Sequence, residues 1–348
     1  MLVHRLKENP LITPADVPPS RDDYEVVGAF NPGVTRFNDE VLLLLRVAER
    51  PRNRPANQQV APVLNPATGK LAILRVNNDE YDLEVPDSRS FTYKGQMYLT
   101  SISHLRLARS TDGVHFTIGP QPAVFPQTLY ETFGLEDPRI SRIGDDFYIT
   151  YKVVSEYGIA TGLLRTRDFV QFERQGIIFC PENLDVAIFP ERIGGKLFAL
   201  TRPVPRHIGP RAIWLASSED GVRWGNHWPL LPPRPGHFDG GKTGASCVPI
   251  RTKEGWLEIY HGADESDRYS LGAALLDLDD PTRVLARSRE PLMQPEADYE
   301  VRGFYGNVVF SCGALITDRG EVTLYYGASD EATAAATTTI DRIMDTLG

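Results

Sequence analysis

Short stretches in which apolar and polar residues alternate, each led by a tight turn, recur along the whole chain. The copies are Asn38-Asp39-Glu40-Val41 running into Leu45, Gly95-Gln96-Met97-Tyr98, Gly144-Asp145-Asp146-Phe147-Tyr148, Gly194-Gly195-Lys196-Leu197-Phe198, Gly255-Trp256-Leu257-Glu258-Ile259-Tyr260, and Gly320-Glu321-Val322-Thr323-Leu324-Tyr325-Tyr326. Period-two alternation after a Gly or Asn-Asp turn predicts β-hairpins. The copies lie roughly 50 to 65 residues apart, the spacing of a propeller repeat. A second pattern, a short strand followed by Ser/Thr-x-Asp-Gly and an aromatic, spans Leu105 to Phe116 and Ile213 to Trp224, with a degenerate copy at Leu163 to Phe172. Each repeat therefore reads as a small antiparallel sheet of about four strands.

Helical periodicity is scarce. Glu331 to Leu347 predicts a strand and then a terminal helix, and the Pro-rich stretches at Pro14–Pro19, Pro51–Pro62 and Pro229–Pro235 predict loops. No linker divides the chain. The expectation is one all-β propeller domain over residues 1–348, its core at about 24–338, with a short helical tail. Six hairpin patterns leave five and six blades both open, because the first and last copies can share one closing blade.

Composition narrows the partners. A formal net charge of -9 argues against nucleic-acid and anionic-membrane binding, and no apolar run reaches the length of a membrane span. Met1 to Pro10 carries Arg5, Lys7 and Glu8 without an apolar stretch, so no signal peptide is expected. Cys180, Cys247 and Cys312 lie far apart and match no metal spacing, which predicts reduced, buried thiols in a cytosolic protein. The seven His form no ligand pair, so no metal is expected. Whether the chain works alone or as a homo-oligomer is left open.

The chemistry concentrates where the repeats start, because a propeller gathers its innermost strands around a central channel. Those starts are Asn31-Pro32-Gly33, Asp87-Ser88-Arg89, Glu136-Asp137-Pro138-Arg139, Asp185 to Pro190, Lys242 to Ser246, and Gly306-Asn307-Val308. Polar residues recur where a structural strand would carry Val or Ile. In the third, Pro138 biases Asp137 toward an extended conformation, with Arg139 two residues on and on the same face. The competing reading is a turn acid steadied by an adjacent Arg.

Asn31-Pro32-Gly33 and Gly134 to Arg139, with Ile188-Phe189-Pro190-Glu191, Thr201-Arg202-Pro203, Gly255 to Gly262, Gly272 to Asp277, Tyr299-Glu300, Asn307 to Phe310 and Tyr325 to Asp330, resemble glycoside hydrolase family 130 in order from about residue 30 to 330. The resemblance implies a five-bladed β-propeller with its active site in the central channel. It implies inverting phosphorolysis of β-mannosides to α-mannose 1-phosphate, with Asp137 as general acid acting through the sugar 3-hydroxyl. It implies Asn31, Arg46, Asp87, Arg89, Arg139, Asp185 and Asp330 as sugar-binding residues, and Arg202, Lys242, His261 and Tyr269 as phosphate-binding ones. Inorganic phosphate is then a co-substrate, and no cofactor is needed. The Gly255 to Asp264 run is similar to the β-1,2-linked branch.

The chemistry agrees with that residue set: an inverting hydrolase needs a second carboxylate to activate water, whereas phosphate arrives as an anion and needs cations. Two departures from the family pattern are Gly244-Ala245-Ser246-Cys247-Val248-Pro249, where many phosphorylases end in Pro-Pro, and Thr201, where His is common. Arg46 equally suits a structural ion pair. Tyr130, Phe133 and Tyr151 suit either sugar stacking or packing. The competing functions are an inverting β-mannosidase, with Asp185 or Asp264 recruited as base, and a non-catalytic carbohydrate-binding propeller.

Overall fold

The structure, a computed structural model, describes residues 2–347; Met1 and Gly348, the ends of the expected domain, lie outside the described residues. The regular secondary structure is nearly all antiparallel strand, with short α-helices at Asp298–Val301 and Ile340–Met344 and a 3-10 turn at Pro14–Asp16. The predicted terminal strand and helix are present as Ala332–Thr339 and Ile340–Met344.

Most strands fall into four-stranded antiparallel meanders. The first is built from Tyr24–Phe37, Glu40–Pro51, Ile102–Ser110 and Thr117–Ile118, the second from Gly134–Ile143, Asp146–Ser155, Gly158–Thr166 and Glu173–Phe179. One parallel pairing, Gly134 with Ser103, joins these two. The third runs through Asn183–Ile188, Leu197–Pro203, Ile213–Ser218 and Gly225–Leu231, and the fourth through Lys242–Ala245, Trp256–Ala263, Tyr269–Leu276 and Val284–Arg287. The fifth, Val309–Ile316, Glu321–Ala328 and Ala332–Thr339, is completed from the other end of the chain by His4–Arg5, with Arg5 opposite Ala336.

The Ser/Thr-x-Asp pattern marks the turn between third and fourth strands. Ser110 Oγ accepts the Gly113 N–H, and Asp112 Oδ1 accepts those of Val114 and His115. Ser218 with Asp220, and Thr166 with Asp168, repeat the arrangement. Short side chains that satisfy local N–H groups favour this turn over a continued strand.

Two sequence expectations need correction. The Gly95 hairpin joins Ser90–Tyr93 to Gln96–Leu99 in a separate three-stranded sheet, and the Asp87-Ser88-Arg89 start is a turn of that same sheet. Both belong to an excursion between the second and third strands of the first meander, which also carries the Gln58–Asn65 and Lys70–Asn77 hairpin. A turn leading an alternating strand looks alike in any antiparallel sheet, so the local pattern cannot say which sheet it joins. Of the three thiols, Cys247 and Cys312 are buried but Cys180 is exposed.

Packing explains why alternation fades in mid-strand. Leu42 to Leu45 are all fully buried. Leu42 and Leu44 pack with Leu135, Ile149 and Val153 of the second meander, whereas Leu43 and Leu45 pack with Tyr325 and Ala335 of the fifth. Further clusters join the second to the third meander through Leu163 and Ile188, the third to the fourth through Leu200 and Trp256, and the fourth to the fifth through Ile259 and Leu324. Each sheet thus has two apolar faces, which is why its middle strands read as continuous apolar runs.

The seam between chain ends also carries a buried ion pair. Arg5 donates to both carboxylate oxygens of Glu300, at 2.7 and 2.9 Å, and the Tyr326 hydroxyl donates to the same carboxylate at 2.8 Å. Burial opposes the charge on Glu300, but the Arg5 bond and two backbone N–H donors hold its carboxyl below the ordinary value of 4.5. Its stabilising contribution is therefore complete above pH 4.5 and fades as pH falls further. Glu300→Ala removes the bidentate partner of Arg5, leaving it only Glu296 and the Gln294 carbonyl, and is expected to destabilise the fold by about 2 kcal/mol in urea unfolding at pH 7; a loss near zero would show that the seam does not depend on this pair.

Candidate active site

The first strands of three meanders break register at equivalent places: between Phe30 and Gly33, between Glu136 and Arg139, and between Leu184 and Ala187. Each break holds a residue at positive φ, Asn31 at 47°, Asp137 at 49° and Asp185 at 56°. Asn and Asp are the non-glycine residues that tolerate this left-handed conformation, and a bulge re-aims their side chains off the ladder. The extended conformation expected for Asp137 is therefore incorrect: the bulge overrides the bias imposed by Pro138. Gly327 makes room, since a Cβ there would run into the Asn31 side chain.

Asp137 is buried and has donors from three strands. Asn31 Nδ2 reaches Oδ1 at 2.8 Å, Arg46 Nη1 reaches Oδ1 at 3.1 Å, and Lys152 Nζ reaches Oδ2 at 2.5 Å. Burial alone would raise the Asp137 carboxyl, but the Lys152 ammonium and the Arg46 guanidinium hold it well below the usual carboxylate range. Arg46 also donates to Glu136 at 2.7 Å and lies over the Phe30 ring. It is thus an ion-pair member and a cavity residue together.

A second buried carboxylate, Asp185, lies behind this group. Its Oδ2 accepts Arg202 Nε at 2.7 Å; its Oδ1 lies 3.3 Å from Arg139 Nη2 and 3.4 Å from Lys152 Nζ. Burial works against its charge, yet the neighbouring Arg202, Lys152 and His261 hold it far below the ordinary range. Arg139 is anchored by the backbone carbonyls of Ser246 and Ala245, at 3.0 and 2.6 Å. His261 is fully buried and pushed down to about 4, first by burial. It is neutral near pH 7. Its Nδ1 contacts Ser246 Oγ at 3.2 Å, while Nε2 lies 3.3 Å from Asp185 Oδ2 without making a hydrogen bond. A Cβ on Gly244 would strike both His261 and Asp185, so the glycine is what lets the backbone pass here.

Asp137 opens into a cavity of about 760 Å³. Asn31, Arg46, Asp87, Arg89, Asp330 and Tyr269 line it as well. The excursion supplies one wall: Arg89 pairs with Asp87 at 2.8 Å and covers the Tyr305 ring at 3.9 Å. Asp330, on the turn after the Glu321–Ala328 strand, is pushed up to about 6, chiefly by burial. Arg139, Asp185, Arg202, Lys242 and His261 do not line the cavity; they stand behind its wall, with Lys242 held by Asp267 at 2.6 Å. The structure does not bring Arg139 or Asp185 to the cavity: Arg139 donates to the Ser246 and Ala245 carbonyls, and Asp185 is engaged by Arg202 and Arg139. Asp264, the other candidate base, accepts the N–H groups of Ser266 and Arg268 in its own loop.

Lys152 was missed in the sequence, although a Lys between Tyr151 and Val153 in a buried strand was a readable signal. Phe310, from the matching stretch Asn307 to Phe310, also lines the cavity, as do Tyr305 and Glu182, which had no pattern to mark them. Of the three aromatic candidates, Phe133 lines the cavity, Tyr151 is buried and donates to Glu131, and Tyr130 is exposed against Tyr157. Among the described residues, no three His, Cys, Asp or Glu side chains converge as a metal site.

Comparison with known proteins gives the family. The family described as beta-1,4-mannooligosaccharide phosphorylase matches residues 75–348. A beta-1,2-mannobiose phosphorylase of Listeria innocua is 48% identical over 100% of this chain and 99% of its own. The solved beta-1,2-mannobiose complex of the Listeria innocua enzyme superposes with a TM-score of 0.96 at 48% identity, covering 100% of this chain and 99% of that one. A beta-1,4-mannooligosaccharide phosphorylase of Ruminococcus albus is 34% identical over 68% of this chain and 73% of its own. The chain belongs to glycoside hydrolase family 130.

Proposed function

We propose that this protein is an inverting β-mannoside phosphorylase that cleaves β-1,2-linked manno-oligosaccharides and releases α-mannose 1-phosphate. One observation carries the reading: the buried Asp137 carboxylate faces the cavity beside Glu136 and Asp330, and behind the cavity wall stands the Arg202 guanidinium with neutral His261, whose Nε2 makes no hydrogen bond. A phosphate oxygen is a ligand that such an orphan nitrogen and a neighbouring guanidinium accept together. The β-1,2 linkage is favoured over β-1,4 because the 48% identical relative that acts on beta-1,2-mannobiose is matched along its whole length.

In this reading the mannosyl ring lies over Asp137 with Asn31, Arg46, Asp87, Arg89 and Asp330 as hydroxyl partners. Asp137 passes a proton to the glycosidic oxygen through the sugar 3-hydroxyl. The C1–oxygen bond breaks, and phosphate forms a new bond to C1 from the opposite face. Arg202, Lys242, His261 and Tyr269 hold that phosphate, Lys242 exchanging its Asp267 contact for it. Asp185 does not act as a base for water, because its oxygens are already engaged by Arg202, Arg139 and Lys152. No metal or organic cofactor enters this mechanism.

The same reading takes the five meanders as five blades of one propeller around a central channel, closed by His4–Arg5 on the last blade. The apolar clusters between successive meanders, and between the fifth and the first, support that closure.

Asp137→Asn is expected to keep the fold and to lose about two to four orders of magnitude in kcat; near-normal turnover in the folded variant would remove Asp137 from its role. Arg202→Ala should raise the KM for phosphate far more than that for the mannoside, measured by initial rates with each substrate varied in turn. Equal effects on both would argue against an anion at Arg202. Activity should survive exhaustive chelation with EDTA. Loss on chelation, recovered with one divalent metal, would contradict the proposed metal-free mechanism.

A further inference from the structure

Lys152 lies between the two buried carboxylates, 2.5 Å from Asp137 Oδ2 and 3.4 Å from Asp185 Oδ1. We propose that Lys152 is a positioning residue that couples phosphate capture to the acid: it pins Asp137 while Arg202 serves Asp185, and moves to Asp185 once phosphate takes Arg202. This inference rests on the phosphorylase reading above.

The argument is one of charge and reach. The Asp185 side chain is fully buried, so it cannot stay charged without close donors. Its tightest partner is Arg202, with Nη2 at 2.5 Å. A phosphate dianion at Arg202 competes for that guanidinium and leaves Asp185 short of donors. Arg139 cannot compensate, because the Ser246 and Ala245 carbonyls fix it. Nor can neutral His261, which brings no charge. Lys152 can: its ammonium carries three donors on a flexible stem, and a shift of about 1 Å brings it into full contact.

The move changes what Asp137 is able to do. The groups facing it are Asn31 and Arg46 from the first meander, Glu136 and Arg139 from its own strand, Lys152 from the next strand, and Asp330 from the fifth meander. With Lys152 withdrawn, only Arg46 and Asn31 remain as donors to its carboxylate, and Arg46 is shared with Glu136. Burial then raises the carboxyl, and Asp137 takes up one proton from solvent. That proton goes to the glycosidic oxygen as the C1–oxygen bond breaks and the phosphate–C1 bond forms. When α-mannose 1-phosphate leaves, Arg202 returns to Asp185 and Lys152 to Asp137. The acid is thus charged with its proton only while phosphate is bound, which suppresses transfer to water.

The test is a titration of 13C-labelled Asp side chains by NMR, with Asp137 assigned through Asp137→Asn, with and without saturating inorganic phosphate. Phosphate binding is measured separately by calorimetry. In the wild type, phosphate should raise the protonation constant of Asp137 by about tenfold or more, a full pH unit. Lys152→Gln should show a raised constant without phosphate and a further change of less than about twofold with it, while Lys152→Arg should restore much of the wild-type response. Lys152→Gln should also hydrolyse β-1,2-mannobiose to free mannose faster than the wild type when phosphate is absent. If phosphate binds and Asp137 does not respond, or responds equally in Lys152→Gln through its field alone, the coupling is overturned and the phosphorylase reading stands. If phosphate does not bind the wild type at all, both fall together.

Discussion

The site depends on one constraint: two carboxylates, Asp137 and Asp185, are buried side by side and must both be kept charged. Both side chains are almost fully buried, so each is held by side chains brought in from neighbouring strands. Asp137 takes Asn31, Arg46 and Lys152; Asp185 takes Arg139, Arg202 and Lys152. These partners come from the first three meanders, so the site forms only when those sheets have docked. Folding and function are linked here through electrostatics more than through any one fold feature.

The bulges give the geometric half of that constraint. A regular inner strand would send alternate side chains into the apolar clusters on either side. Breaking register at Asn31, Asp137 and Asp185 turns each side chain toward the middle instead, at the cost of a left-handed backbone. Gly327 and Gly244 then remove the methyl groups that would block Asn31, His261 and Asp185.

Much of this was legible in the sequence. Turn chemistry located the hairpins, because Ser110 with Asp112 and Ser218 with Asp220 satisfy their own local N–H groups. The polar starts of the inner strands located Asn31, Asp137, Asp185 and Lys242. Sheet membership was not legible: the Gly95 hairpin has the same local pattern as the others but builds a cavity wall on the excursion. The Asp137 backbone was misread because the bias from Pro138 is local, whereas the bulge is set by pairing with Lys152 and Thr150 on the next strand. Asp185 was legible as important but not as buried, since a carboxylate's partners lie far away in sequence.

The proposed roles of Asp137 and of the cationic group around Arg202 make one claim about chemistry: the nucleophile is phosphate, and it attacks from the face opposite the departing sugar. Incubation of the protein with β-1,2-mannobiose and inorganic phosphate, followed by 31P and 1H NMR of the unfractionated products, tests this directly. The account predicts α-mannose 1-phosphate and free mannose in equal amounts. Free mannose alone, formed at the same rate without phosphate, or a β-configured phosphate ester, would contradict it.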